Sequence, residues 1–314
     1  MRQMTSALES HSPLQQPILH ITITVMAILF AILVLVAVLL VIASVKYRQR
    51  ASGREPHQNF GNAKLEITWT ALPFLLLVAI FVLTVIAMRA ADPPTAMSGG
   101  DDPPPDIVVV GHQFWWEFRY AEGFVAANEM HVPVGRRLLL RIEAADVIHD
   151  FWVPALGRKM DAIPGSPNQM YFEAGEPGEY GGTCAEFCGA EHAWMRLLVI
   201  AQPQKEYEAW VREQQAKPAS PTEGDALRGK QIFGTTSCAT CHAVSGVTSA
   251  RVGPDLTHLA SRQTLAAGRM PNNPANLEAW LRNPEKFKPG SYMPNALLSQ
   301  QDLTALVAYL ETLR

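Results

Sequence analysis

Twenty-five consecutive residues without a charge, from Ile21 to Val45, restrict what this chain can be more than any other feature. Seventeen of them are Leu, Ile, Val or Phe. At roughly −0.3 to −0.6 kcal/mol each near a helix centre, they favour bilayer insertion by about 5 to 10 kcal/mol. The stretch exceeds the ~20 residues a helix needs to cross hydrocarbon. It is too long for the apolar part of a signal peptide, and no basic segment directly precedes it. A second uncharged stretch runs from Ile67 to Met88. Pro73 lies in its first third and is better tolerated in a membrane helix than in a soluble one. Two transmembrane spans, about 21–45 and 67–88, are therefore expected within residues 1–91.

Basic residues set the orientation. The segment between the spans carries Lys46, Arg48, Arg50, Arg54 and Lys64, whereas residues 1–20 carry only Arg2. The positive-inside rule places that loop in the cytoplasm, with both termini and everything past about residue 90 outside. A Pro/Gly/Asp-rich stretch from Asp92 to Pro105 separates membrane from globule. With a net charge of −3 and a pI near 6.3, the chain lacks the basic surface of a nucleic-acid binder.

Residues 106–201 read as strands. Ile107-Val108-Val109-Val110 is β-branched, Gln113 to Tyr120 is rich in aromatics, and Arg137 to Ile142 is a further apolar run. Gly, Pro and Asn punctuate them at short intervals, which predicts an all-β sandwich or barrel of roughly 100 residues. Residues 202–224 read as a linker, with a short exposed helix over 205–215 and an extended connector over 217–224. Leu277–Asn283 and Leu303–Leu313 are helical patterns, the last amphipathic, within an all-α domain over 225–314.

Four cysteines are too few for a disulfide scaffold, and they fall in two tight pairs. The first lies in Cys184-Ala-Glu-Phe-Cys188-Gly-Ala-Glu-His192-Ala-Trp-Met195, which brings two thiolates, an imidazole and a thioether into twelve residues. Soft sulfur and imidazole select copper or zinc, and a thioether favours copper. His149, at the end of a strand-like run, is the expected distant ligand. A blue-copper centre needs one Cys, so the second argues for two metals sharing two bridging sulfurs. A Cys184–Cys188 disulfide is the structural alternative. The second pair is Cys238-Ala-Thr-Cys241-His242, the C-x-x-C-H pattern in which two thioethers fix a haem and the adjacent His binds its iron. No βαβ pattern surrounds it, as a thioredoxin-like pair requires. Met293 and Met270 compete for the sixth ligand.

These residues resemble subunit II of the haem–copper cytochrome c oxidases, caa-type, from the hairpin to residue 200. The stretches carrying the resemblance are Glu66-Ile-Thr-Trp-Thr-Ala-Leu-Pro73, Gly111-His-Gln-Phe114-Trp115-Trp116, His149, Asp161-Ala-Ile-Pro-Gly165 and the Cys184–Met195 loop. The C-terminal part, through Cys238–His242, Gly253-Pro-Asp-Leu256 and Lys288-Pro-Gly-Ser-Tyr-Met293-Pro, resembles a class I cytochrome c fused to it. The resemblance implies a cupredoxin sandwich over 106–201 holding a binuclear CuA centre. Its ligands would be His149, Cys184, Cys188, His192, Met195 and the backbone carbonyl of Glu186. The Glu186 carboxylate would help bind magnesium shared with subunit I. Glu66 matches an acid at the mouth of a proton path, with a plain interfacial carboxylate as the alternative. Haem c would be held by Cys238, Cys241, His242 and Met293.

The role implied is relay in a bacterial inner membrane. Electrons would pass from a cytochrome c or a cytochrome bc complex to haem c, then CuA, then the haems of subunit I, with subunit III and the lipid bilayer as further partners. A CuA carrier for a nitrous or nitric oxide reductase is the alternative. The family usually has Trp where Phe114 stands; Phe114, Trp115 and Trp116 are the candidates for electron entry. A ~20-residue tether would hold the haem domain at roughly millimolar effective concentration, so weak docking contacts would suffice.

Overall fold

The computed structural model describes residues 5–48, 58, 60–91 and 103–314. Arg2, Arg50 and Arg54, used above for orientation, and most of the Pro/Gly stretch (92–102) lie outside them. Residues 16–92 form one compact unit, and residues 1–15 with 93–314 form another.

In the first unit, helices α1 (Gln16–Lys46) and α2 (Ala63–Ala91) pack on each other and are apolar on all faces. Both extend a few residues beyond the uncharged stretches, and Pro73 lies inside α2. Asn62 starts α2: its side-chain oxygen accepts from the N–H groups of Lys64 and Leu65 at 3.1 and 3.3 Å. Glu66 accepts in return from the Asn62 N–H at 3.2 Å, a reciprocal cap.

The second unit opens with the N-terminal segment, which lies on the sandwich instead of trailing from the hairpin. The His11 N–H donates to the Ala155 carbonyl at 3.0 Å, and the Gly175 N–H donates to His11 at 2.7 Å. The sandwich has ten strands: β1 (Ile107–His112), β2 (Trp115–Tyr120), β3 (Val125–Ala127), β4 (Glu129–Pro133), β5 (Leu138–Ala144), β6 (His149–Trp152), β7 (Met160–Ala162), β8 (Asn168–Phe172), β9 (Gly178–Cys184) and β10 (Arg196–Gln202). One sheet runs β3-β2-β1-β5-β8 and the other β4-β10-β9-β6-β7. Each contains one parallel pair, β1 with β5 and β4 with β10. Between them Val109, Trp116, Phe118, Leu140, Phe151, Phe172 and Tyr180 form the core. Burying each large apolar side chain contributes about 1.5–3 kcal/mol.

The stretch read as a linker divides in two. Helix α3 (Gln204–Gln215) belongs to the sandwich, because Tyr207, Trp210 and Val211 pack into its core. Only residues 216–223 connect it to the helical domain, whose elements are α4 (Gly224–Thr235), α5 (Cys238–Cys241), α6 (Pro274–Arg282), α7 (Pro284–Phe287) and α8 (Gln300–Leu310). Helices α4 and α8 cross where a side-chain carbon at Gly229 would lie 2.0 Å from the Ala305 carbonyl oxygen, so only glycine fits. Ser299 caps α8 through the Asp302 N–H at 3.1 Å.

Trp210 also stacks on His131, with rings 4.1 Å apart, and Gln202 lies 2.7 Å from Nδ1 of that histidine. Burial pushes the His131 imidazole down to about 4 in spite of the Gln202 bond. As pH falls, the unfolded chain takes up this proton near pH 6.5 and the folded chain does not. Stability is therefore full above 6.5 and is lost as pH falls towards 4. At 1.36 kcal/mol per unit the loss is on the order of 3 kcal/mol. Thermal unfolding across this window checks it: His131→Gln should flatten the slope relative to the unaltered chain, and an identical slope would refute the assignment.

The sandwich and the helical domain meet through specific polar bonds. Glu129, buried, accepts from the Gln263 and Thr264 N–H groups at 2.9 and 2.8 Å and from the Thr264 hydroxyl at 2.8 Å. The Arg269 guanidinium lies 3.7 Å over the Trp194 ring. His258 Nε2 is 3.0 Å from the Gln214 carbonyl. Docking is thus built into the interface by specific contacts, where weak ones aided by the tether had been expected.

Candidate metal centre and haem pocket

Strands β6 and β9 and the loop after β9 bring the first cluster together. His149 opens β6, Cys184 closes β9, and His192 sits in a single 3-10 turn before Met195. Cys184 Sγ lies 3.9 Å from His149 Nδ1, 3.9 Å from Cys188 Sγ and 3.2 Å from the Glu186 carbonyl oxygen. Cys188 Sγ is 3.7 Å from His192 Nδ1 and 3.8 Å from Met195 Sδ. His149, Cys184, Cys188 and Met195 are all buried. A disulfide needs about 2.05 Å between sulfurs, so the 3.9 Å separation excludes that pairing here. Both sulfurs do fall within reach of a shared metal at a bond of roughly 2.3 Å, the zinc–thiolate length.

The donor set fits a soft-metal centre, and the surroundings support it. His149 presents Nδ1 to Cys184 because its Nε2 is held 2.7 Å from the Asp146 carboxylate. Burial disfavours the charged imidazole, but that carboxylate outweighs it and raises the His149 pKa. The bond from the Cys188 thiol, with His149 assisting, draws Cys184 far towards its thiolate. The second ionisation, of Cys188, is pushed up by that thiolate and by burial. The charge of a bound metal would offset this repulsion and let both ionise. The Glu186 carboxylate points to solvent while its carbonyl faces the cluster.

The second candidate site is a cavity walled mostly by the helical domain. Cys238, Cys241, His242 and Met293 line one cavity with Leu256, Leu277, Trp280 and Leu281. Cys238 and Cys241 are unbridged. His242 Nδ1 lies 2.8 Å from the Pro254 carbonyl, which leaves Nε2 for a ligand. Burial outweighs that bond and lowers the His242 pKa, favouring the neutral ring that a metal needs. Met270, the rival sixth ligand, is buried in the domain's core and does not line the cavity. Two free thiols, a neutral His and a thioether around one apolar cavity fit a covalently bound haem.

Of the aromatic candidates, Trp116 packs edge-on against His149, with centroids 5.9 Å apart. Phe114 and Trp115 line the haem cavity from the sandwich side. Glu66 is in the helix cap described above. Sequence reasoning missed Asp146, Gln113 and Lys288. Asp146 left a signal as a carboxylate three residues before His149, while Gln113 and Lys288 stood within motifs whose other residues drew the reading.

Family models match three segments: "Cytochrome C oxidase subunit II, transmembrane domain" over residues 3–85, "Cytochrome C oxidase subunit II, periplasmic domain" over 124–202, and "Cytochrome c" over 226–314. Cytochrome c oxidase subunit 2 of Alkalihalophilus pseudofirmus is 41% identical over 98% of this chain and 91% of its own. The Bacillus subtilis subunit 2 is 32% identical over 86% of this chain and 81% of its own. A crystal structure of the periplasmic domain of subunit II from Bradyrhizobium japonicum is 34% identical, covers 36% of this chain and 96% of that one, and has a TM-score of 0.35. Two apolar helices, a sandwich with clustered Cys, His and Met, and a C-x-x-C-H helical domain thus occur together: the chain belongs to the cytochrome c oxidase subunit 2 family, in the form that carries a C-terminal cytochrome c domain.

Proposed function

We propose that this chain relays electrons within a terminal oxidase, from its haem domain through its two-copper domain to subunit I, where oxygen is reduced to water. The observation that carries this reading is the Gln113–Trp115 segment, which borders both sites. Phe114 and Trp115 line the haem cavity, while the Gln113 side-chain amide donates to the carbonyl of the copper ligand Cys188 at 2.6 Å.

When bound, the haem and the copper pair supply one-electron redox chemistry. His149, Cys184, Cys188, His192, Met195 and the Glu186 carbonyl would hold the coppers, and Cys238, Cys241, His242 and Met293 the haem. The rest of the chain orients these ligands through Asp146 and Pro254 and excludes water with Trp116, Phe151 and Leu256. The Glu186 carboxylate would take part in a magnesium site shared with subunit I, and Glu66 would stand at a proton path. Subunits I and III, a donor cytochrome and the bacterial inner membrane, with both termini and globular domains outside, complete the reading.

Stopping the chain after Lys217 tests it. The truncated protein should keep about two coppers per chain, because the sandwich retains every copper ligand. Turnover with soluble cytochrome c should fall sharply, and Phe114→Trp should restore part of it. Undiminished turnover of the truncated oxidase would overturn the relay order.

A further inference from the structure

A buried lysine lies at the junction of the two redox domains. Lys288 begins the loop that ends in the haem ligand Met293, yet it is only 4% exposed. Its ammonium leaves its own domain and donates to the Phe114 carbonyl at 2.5 Å. Glu191, itself buried and one residue before His192, is the carboxylate that acts on it. Four residues on, the Tyr292 hydroxyl donates to Gln113 Oε1 at 3.0 Å, and the Tyr292 ring stacks on Phe114 at 6.0 Å. Gln113 in turn donates to the Cys188 carbonyl. Phe114 is seated on the copper loop, since a side-chain carbon at Gly189 would lie 3.1 Å from its ring.

Burying a lysine costs free energy unless its ammonium is bonded, and an apolar residue would fill the same space without that cost. A charge kept here points to a role in holding the two domains in one arrangement. We propose that Lys288 is a positioning residue: it pins the loop of the haem ligand Met293 onto the copper loop, with the Tyr292–Gln113 bond as the second point, and its positive charge lies beside the copper site. This rests on the relay reading.

The test uses the full-length oxidase with Lys288→Met, Lys288→Arg and Tyr292→Phe. Intact haem and copper spectra report folding in each variant. Losing a charge-assisted bond changes a docked-to-undocked ratio by a factor of about ten to a hundred. Lys288→Met should therefore speed hydrogen exchange at the Gln263 and Thr264 amides, which Glu129 covers elsewhere in the interface. It should also slow flash-initiated electron transfer from haem to copper and lower the copper potential. Tyr292→Phe should slow the same transfer severalfold with the copper potential unchanged, and Lys288→Arg should restore much of the lost rate. Unaltered exchange, rate and potential in Lys288→Met would overturn the assignment. Absence of any haem-to-copper transfer in the unaltered oxidase would instead overturn the relay itself.

Discussion

Cys188→Ser is expected to abolish the mixed-valence copper signal and all oxidase turnover while leaving the haem absorption unchanged. Cys188 is the hub of the cluster, within 3.7–3.9 Å of His192, Met195 and Cys184. A serine hydroxyl is a hard donor and stays protonated, so it cannot bridge two soft metals. The proposed haem ligands all belong to the helical domain, so covalent attachment should proceed normally. Electron paramagnetic resonance of the purified variant decides the matter. Survival of the mixed-valence copper hyperfine pattern would remove Cys188 from the ligand set.

Met293→Ala and Met270→Ala should separate cleanly. Loss of Met293 removes the thioether from the haem cavity, and Met/His ligation is what raises a haem potential, so the potential should drop markedly. Stability should change little, because Met293 is only partly buried. Met270 is part of the apolar core, so its truncation should cost about 2–5 kcal/mol and leave the potential in place. A redox titration and a thermal melt of each variant check both halves. Exchanged phenotypes would make Met270 the ligand.

Much of this was legible because the chemistry is local in sequence. Twelve residues hold four of the proposed copper donors, and five hold the proposed haem attachment. The spans were readable because hydrocarbon admits no charge, although both helices run past the uncharged stretches. What was hidden depends on distant partners. Lys288 in a Lys-Pro-Gly loop looks like a solvated charge, and only the sandwich, 174 residues earlier, buries it. Helix α3 looked exposed because its 205–215 sequence is mostly polar, yet Tyr207 and Trp210 suffice to anchor it. Glu129 shows no motif at all; its partners are backbone amides more than 130 residues away.

The placement of Phe114 and Trp115 against the haem cavity carries a consequence for biogenesis. A cavity walled partly by a neighbouring domain admits a bulky prosthetic group more easily while that neighbour stands off. Cys238, Cys241 and His242 would therefore meet a haem most readily before the domains close, and attachment would then precede closure during maturation. The order of synthesis suits this, since the sandwich is complete before the C-terminal domain has emerged. A chain whose haem attachment is delayed would close over an empty chamber, and the same bonds that seat the finished protein would then slow the entry of the missing group.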